Sequence, residues 1–381
     1  MKKLFLSICL LNFVSFSIFA FDWGGILKNH TQGDVCDFFG SSLNQSNALY
    51  LWTQSEIADT DLLFSSEVMY QYKYNLRQTY SSFENIFDLD LLRLSGTLYM
   101  AKESLDFSIG RFFVSDITNS IFMQTSDGML LKCGVKNTEF SLYAGYTGLL
   151  NAHNVAILNV DGTIDEIKND FYSLCKPYIP IAAAVTFQQL FLQQSLSISA
   201  NTFIDASKNK DNRFYATLAV DGPVMQGCYY DFSTTLALYN LKEKANYSKI
   251  KFHVFITESL YTSIGIEYAS GNNGSLKPFR TFTSKPIVSS AAETIETSGI
   301  ILPAVSLSKN FNNLYASFDA KFLLDCLNSS VSFWGPEVVA SVVYNAFYDL
   351  QFGLDASAFW DLKNKGNLTN YSATLKVNVA F

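Results

Sequence analysis

The chain has 381 residues, of which 49% are apolar and only 16% are charged, and its formal net charge is −7. The negative charge argues against nucleic acid as a partner, because phosphate neutralisation needs a clustered basic surface. The apolar residues are dispersed along the chain. They are not collected in blocks of about 20, as membrane-spanning helices would require.

The first 20 residues have the layout of a cleaved secretory signal. Lys2 and Lys3 precede an apolar run, and Ala20 stands just before a more polar stretch. We therefore predict a signal peptide over residues 1–20 and a single mature domain over residues 21–381. The mature chain has 25 basic and 34 acidic residues, which gives it a net charge of −9.

The segment Leu62–Tyr74 alternates between apolar and polar side chains with a period of two. Similar alternation recurs in many aromatic-rich stretches, among them Glu139–Tyr146, Ser195–Asn201, Arg213–Asp221, Lys249–Ile256 and Leu314–Phe322. Strands with one lipid-facing and one water-facing side are typical of a membrane barrel. A closed barrel also satisfies every backbone amide inside a bilayer, which an open sheet cannot do.

The alternation is least regular around Leu91–Leu92. Arg93 would face lipid unless a β-bulge resets the register there, so the position of Arg93 is not predicted. Arg111 raises the same problem, and its position is not predicted.

The connections between predicted strands alternate between short and long, as in outer-membrane barrels with short periplasmic turns and long external loops. Counting back from a periplasmic C-terminus gives about 18 antiparallel strands, with Phe21–Leu27 as the first; 16 is the alternative. The fold class is therefore all-β, a single up-and-down transmembrane barrel. The long connection Leu149–Pro177 contains apolar residues and is a candidate to fold inward and narrow a pore.

The C-terminal strand has one apolar face that ends in an aromatic residue. Its members include Tyr371, Leu375, Val377, Val379 and Phe381. This pattern resembles the assembly signal of Gram-negative outer-membrane proteins. The resemblance implies an outer-membrane, porin-like barrel that the barrel-insertion machinery recognises through its last strand. The Phe-, Asn- and Ser-rich composition also suits a spirochaete.

The phase of the alternation predicts which charged residues line the interior. The candidate pore-lining residues are Lys73, Arg213, Lys249, Lys251, His253, Glu267, Asp319 and Lys321. Seven positive and eight negative water-facing residues are predicted in all, and this near balance favours weak ion selectivity.

No arrangement of residues indicates catalysis, so we predict that the protein is not an enzyme. Only three histidines occur, and no nucleophile motif accompanies His253. The acidic residues Asp161, Asp165, Glu166 and Asp170 lack the spacing of a calcium loop, and a solvated loop is the simpler interpretation. The five mature cysteines show no zinc-site spacing, and we expect no cofactor.

These features favour a channel for passive diffusion of small hydrophilic solutes across an outer membrane. The alternatives are a substrate-specific transporter and a surface-exposed adhesin or structural barrel, whose working parts would be the loops Leu149–Pro177 and Gly271–Ser298. Expected partners are membrane lipid, the insertion machinery and small solutes. A homotrimer is an open alternative, since no interface motif can be read.

Overall fold

The computed structural model describes residues 21–36, 40–58, 60–78, 80–100, 103–207, 210–290, 294–328, 330–363 and 368–381. The predicted signal peptide lies outside the described residues. Alternating polar and apolar side chains produce 18 strands. The first nine are β1 Asp22–Cys36, β2 Gly40–Glu56, β3 Leu63–Arg77, β4 Ser81–Tyr99, β5 Ser104–Ser115, β6 Met123–Val135, β7 Thr138–Tyr146, β8 Tyr178–Phe191 and β9 Gln194–Asp205. The others are β10 Arg213–Met225, β11 Cys228–Tyr239, β12 Glu243–Phe255, β13 Leu260–Ala269, β14 Ile300–Phe311, β15 Leu314–Asp325, β16 Ser332–Asn345, β17 Leu350–Asp361 and β18 Leu368–Ala380.

Every strand pairs antiparallel with its neighbours, and β1 pairs with β18 to close the sheet into a barrel. The closing register runs from Ile26 opposite Ala380 to Cys36 opposite Asn370. The predicted barrel of 18 strands is thus confirmed, and the alternative of 16 is wrong. No helix in the described part of the chain is long and apolar enough to cross a membrane.

The two faces of the wall follow the predicted alternation. In β9, for example, Ile198 is 45% exposed on the outside, whereas Ser199 is buried on the inside. On the last strand, Tyr371, Leu375 and Phe381 are exposed on the outer face, and the alternating Ser372 and Thr374 are buried inside. An apolar exterior and a polar interior are what a barrel needs in lipid.

The barrel has two unlike rims. One carries short turns such as residues 136–137 and 192–193, and we call it the short-turn rim. The opposite, long-loop rim carries three longer connections that matter for the interior. We name residues 116–122 the first inward segment, residues 147–177 the second inward segment, and residues 270–290 with 294–299 the third inward segment.

The three inward segments pack into the barrel against aromatic side chains of its wall. The wall contributes Phe112, Tyr143, Tyr178, Phe203, Tyr215, Tyr239 and Tyr247, and the segments contribute Phe122, Leu150, Val155, Ile157, Phe279 and Phe282. The hydrophobic core therefore lies inside the barrel and on one side of it. The expected inward course of the Leu149–Pro177 loop is found in the structure.

A β-bulge in β4 resets the strand register near Leu91. Glu67 of β3 lies opposite Leu91 and Val68 lies opposite Leu89, so Asp90 is the extra residue. Beyond the bulge, Arg93 pairs with the interior residue Ser65. The extra residue thus turns Arg93, whose position the sequence left open, away from lipid.

Candidate functional site: the constricted lumen

The first inward segment owes its shape to one buried carboxylate. Asp116 accepts hydrogen bonds from the backbone N–H groups of Thr118, Ser120, Ile121 and Phe122 at 2.8 to 3.1 Å. An ionised carboxylate satisfying several N–H groups is a strong local organiser of a loop. Ile121 in turn accepts backbone hydrogen bonds from Phe282 and Thr283, which ties the first segment to the third.

The third inward segment is held against the wall by aromatic contacts and backbone hydrogen bonds. The ring of Phe282 stacks on Phe203 with centroids 3.8 Å apart. The hydroxyl of Tyr215 donates to the carbonyl of Arg280 at 2.9 Å, and the N–H of Arg280 donates to the hydroxyl of Tyr239 at 2.6 Å. Burial lowers the pKa of the Arg280 guanidinium from its usual value.

The far part of the third segment reaches strands β15 and β16. Lys321 Nζ donates to the carbonyl of Ile287 at 2.9 Å and pairs with Glu337 at 2.8 Å. The same carboxylate accepts the N–H of Ser289. Since other residues of the segment contact β10, the segment crosses the lumen and narrows it.

Three of the predicted pore-lining cations hold the inward segments in place. Arg213 faces inward but is 1% exposed, lies over the rings of Tyr178 and Phe282, and donates to the carbonyl of Thr281. Lys249 Nζ donates to the carbonyl of Thr118 at 3.0 Å, and Lys321 binds the third segment as described. Their interior placement agrees with the alternation. Arg213, however, is too buried to meet a solute.

Other predicted residues line a cavity of about 520 Å³ on the side of β10 to β14. Lys251, His253 and Glu267 face it together with Asp231 and Lys285. Glu267 accepts a hydrogen bond from Tyr247 at 2.6 Å. This cavity combines both signs of charge, so it suits a polar or ionic solute.

Lys73 and Asp319 lie apart from that cavity. Lys73 is on β3, between Ser46 of β2 and Glu84 of β4, on the interior side of the wall. Asp319 is half-buried on β15 beside Ser306. The predicted lining residues are therefore not one cluster, and they surround different parts of the lumen.

The ring of His253 lies between Asp231 and Tyr261. One ring nitrogen lies 2.6 Å from Asp231 and the other lies 2.6 Å from the hydroxyl of Tyr261. Both nitrogens are engaged, so neither remains to activate a serine.

The acidic loop residues Asp161, Asp165, Glu166 and Asp170 are not gathered into one cluster. Hydrogen bonds from Thr163 lower the pKa of the Asp161 carboxyl. Within the described residues, no group of three or more His, Cys, Asp or Glu side chains could hold a metal ion. The five described cysteines are free.

Sequence reasoning missed Asp116, Arg280 and Glu337. Asp116 and Arg280 lie in loops, where no period marks a side chain as inward. Glu337 lies on β16, but its role as an anchor depends on the third inward segment, which is distant in sequence. Only Asp116 had a local signal, since an acidic residue before Thr118 and Ser120 suits a capped turn.

No protein-family model matches the chain, and no curated protein matches it. Solved structures do resemble it. OpdL of Pseudomonas aeruginosa superposes with a TM-score of 0.63 and 13% identity, covering 95% of this chain and 98% of that one. OpdK of the same organism, solved with vanillate, superposes with a TM-score of 0.61 and 9% identity, covering 94% of this chain and 99% of that one. OccAB4 of Acinetobacter baumannii superposes with a TM-score of 0.61 and 13% identity, covering 95% of this chain and 98% of that one.

These similarities establish the fold, an 18-stranded barrel like those solved proteins. They give no support to the spirochaetal source that the composition suggested.

Proposed function

We propose that this protein is an outer-membrane channel through which small hydrophilic solutes diffuse passively. The observation that carries the proposal is a closed 18-stranded barrel with an apolar exterior, whose lumen is narrowed by three inward segments. A barrel of this strand number is too wide for wall side chains alone to fill. The inward segments therefore set the width of the open lumen.

The wall opposite the aromatic core supports weak ion selectivity. Lys28, His30 and Lys376 face the interior there, and Lys376 forms an ion pair with Asp355. Fixed charges of both signs along a pore favour neither cations nor anions strongly.

A substrate-specific channel is the second candidate. The cavity lined by Lys251, His253, Asp231 and Glu267 is small and carries both signs of charge, which favours recognition of one class of polar solute. OpdK, whose structure contains vanillate, has the same fold. An adhesin gains no such support, because the two longest described loops turn into the barrel.

The topology in the membrane belongs to the same proposal. We place the short-turn rim and the C-terminus in the periplasm and the long-loop rim outside, with residues 1–20 removed as a signal peptide. The outer face of β18, with Tyr371, Val377, Val379 and Phe381, is our candidate contact for the insertion machinery. A homotrimer is compatible with this arrangement.

The first test is conductance of the refolded mature chain in planar bilayers. We expect stepwise conductance that increases with salt concentration and little preference between K⁺ and Cl⁻. Saturable block by added vanillate would favour the substrate-specific alternative. A folded barrel that neither conducts nor swells proteoliposomes would contradict both channel proposals.

A further inference from the structure

The barrel wall is incomplete between β4 and β5. The two strands pair only from Leu92 opposite Arg111 to Tyr99 opposite Ser104. Among the described residues, Ser81–Leu89 and Leu91 of β4 pair with β3 but have no partner in β5, and the bulge residue Asp90 pairs with neither strand. Within the paired stretch, Leu92 and Leu98 are six residues apart, which is about 20 Å along a strand. At the usual tilt of barrel strands, this paired stretch covers roughly 15 Å of an apolar band that is about 25 Å tall. The unpaired part of β4 therefore lies in the half of the band nearer the long-loop rim.

Gly110 marks the point at which the strands part. Its φ is +118°, and a Cβ atom there would lie 2.1 Å from the carbonyl oxygen of Leu92. Only glycine allows both this conformation and this close approach.

The second inward segment occupies the break and replaces the missing strand contacts. The N–H of Phe87 on β4 donates to the carbonyl of Phe171 at 3.0 Å, and Asn151 Nδ2 donates to the carbonyl of Phe87 at 3.0 Å. Asn154 Nδ2 donates to Asp88 at 2.6 Å, and the rings of Phe87 and Phe171 stack at 5.8 Å. On the free edge of β4, the backbone N–H and C=O of Phe87 are thus satisfied by a loop, as backbone groups near lipid require.

Arg111 joins the pieces around this break. The alternation of β5 puts it on the outer side, next to the exposed Ile109 and Phe113, yet it is only 7% exposed. Its guanidinium binds both carboxylate oxygens of Asp127 on β6, at 2.7 and 2.8 Å. It also donates to the carbonyl of Leu89 on β4 at 3.2 Å.

The remaining bonds of Arg111 reach the second inward segment. Its Nη2 donates to the carbonyl of Leu149 at 2.9 Å, and its Nη1 donates to the hydroxyl of Tyr172 at 3.2 Å. The Tyr172 hydroxyl itself donates to the Leu149 carbonyl at 2.5 Å. A planar, always charged group with five N–H donors is suited to hold several acceptors at once.

We propose that Arg111 is a positioning residue that latches the second inward segment into the wall break and thereby fixes the width of the lumen. Part of this inference rests on the proposed channel function, because the lumen width is read as conductance. The structural link is direct: Leu150 and Val155 of the same segment pack inside the barrel with Phe112 and Val114.

Cys175 provides a readout that does not depend on conduction. Its side chain is buried in the second segment, 3.5 Å from the carbonyl of Val155, and its N–H donates to the carbonyl of Leu150. Burial raises the pKa of its thiol to about 12, with further contributions from Asp88 and Asp165. A buried, protonated thiol reacts slowly with maleimides until the segment opens.

The experiment uses the mature chain with Cys36, Cys133, Cys228 and Cys326 changed to serine, refolded in detergent. Labelling of Cys175 by a water-soluble maleimide and single-channel conductance are measured for Arg111→Ala, Arg111→Lys and the control Lys309→Ala. Lys309 is an exposed cation of β14 that lies over the ring of Phe311, away from the inward segments.

With Arg111→Ala we expect labelling to accelerate about tenfold or more, because protection follows the free energy of local opening. Conductance should become larger and less steady. For Arg111→Lys, the labelling rate and the conductance should lie between those of the parent chain and of Arg111→Ala. An ammonium keeps the charge but cannot reach all the acceptors that the guanidinium binds. Lys309→Ala should match the parent chain in both readouts.

A folded Arg111→Ala barrel with unchanged labelling and conductance would overturn the proposal. If that variant does not fold, Tyr172→Phe removes one hydroxyl of the same network, and unchanged labelling there would also overturn it. If the parent chain never conducts, the proposed channel function is contradicted, but the proposal for Arg111 is not. The labelling of Cys175 still decides whether Arg111 holds the second inward segment.

Discussion

At the scale of single residues, the charges inside this barrel serve mainly to hold backbone in place. Asp116 organises the first inward segment, whereas Lys249 and Lys321 each bind a carbonyl of a segment that lies far away in sequence. Asp116 is buried and both lysines are half-buried, and each is hydrogen-bonded, so removing one leaves its partner without compensation. The width of the lumen therefore depends on side chains that anchor loop backbone.

Glu337 offers the clearest test of this role. It is fully buried and binds both Lys321 and the N–H of Ser289. We expect Glu337→Gln to lower the free energy of unfolding by about 1–3 kcal/mol, because a charged hydrogen-bond network is weakened. Urea unfolding in detergent, followed by tryptophan fluorescence, measures the change.

Glu139→Gln is the matched control. Glu139 pairs with Lys132 at 3.9 Å, and both side chains are largely exposed. Exposed pairs contribute about 0–1 kcal/mol, so this variant should differ little from the parent chain. Equal effects of the two substitutions would contradict the anchoring role of Glu337.

At the scale of elements, one extra residue decides which side of β4 faces lipid. Asp90 has no counterpart on β3, and it restores the phase that turns Arg93 inward. Since a shift of one residue moves every side chain to the other face, the bulge corrects the pattern for the rest of the strand.

Deletion of Asp90 should therefore impair assembly. The part of β4 from Leu91 onward would shift phase, and Arg93 would face lipid at a cost of about 2–4 kcal/mol near the membrane centre. Heat-modifiable mobility on gels measures the folded fraction. Asp90→Ala keeps the register and should fold normally, and a deletion variant that folds equally well would show that the bulge is dispensable.

At the scale of the whole molecule, Phe381 extends the seam that closes the barrel between β1 and β18. Phe381 exchanges backbone hydrogen bonds with Gly25 at 2.9 and 3.0 Å, and its ring covers that glycine. A Cβ atom at Gly25 would lie 2.5 Å from the ring. The terminal aromatic residue thus completes the seam between β1 and β18.

We expect deletion of Phe381 to reduce the yield of assembled barrel more than Phe347→Ala does. Phe347 is 70% exposed in a short turn and takes no part in closure. The folded fraction after refolding into lipid vesicles measures the difference. Similar yields for the two variants would argue against a role for the last residue in closing the barrel.

The sequence by itself determined the barrel and the two faces of its wall, whereas it left 16 strands open beside about 18. Alternation is a local property, because lipid and water select side chains at every second position of a strand. The mismatch at Arg93 marked where the alternation is interrupted, but it left the position of Arg93 open. The same logic placed Lys251, His253 and Glu267 on the interior side, where the structure has them.

Only the tertiary structure decided what the interior contains. Arg213 is covered by Tyr178 and Phe282, and Arg111 left no interpretable pattern because its acceptors come from β4, β6 and residues near 149 and 172. Loop side chains have no period, and a buried charge is recognised only by the distant groups that satisfy it. The wall follows from local alternation, whereas the constriction follows from contacts between segments that are remote in sequence.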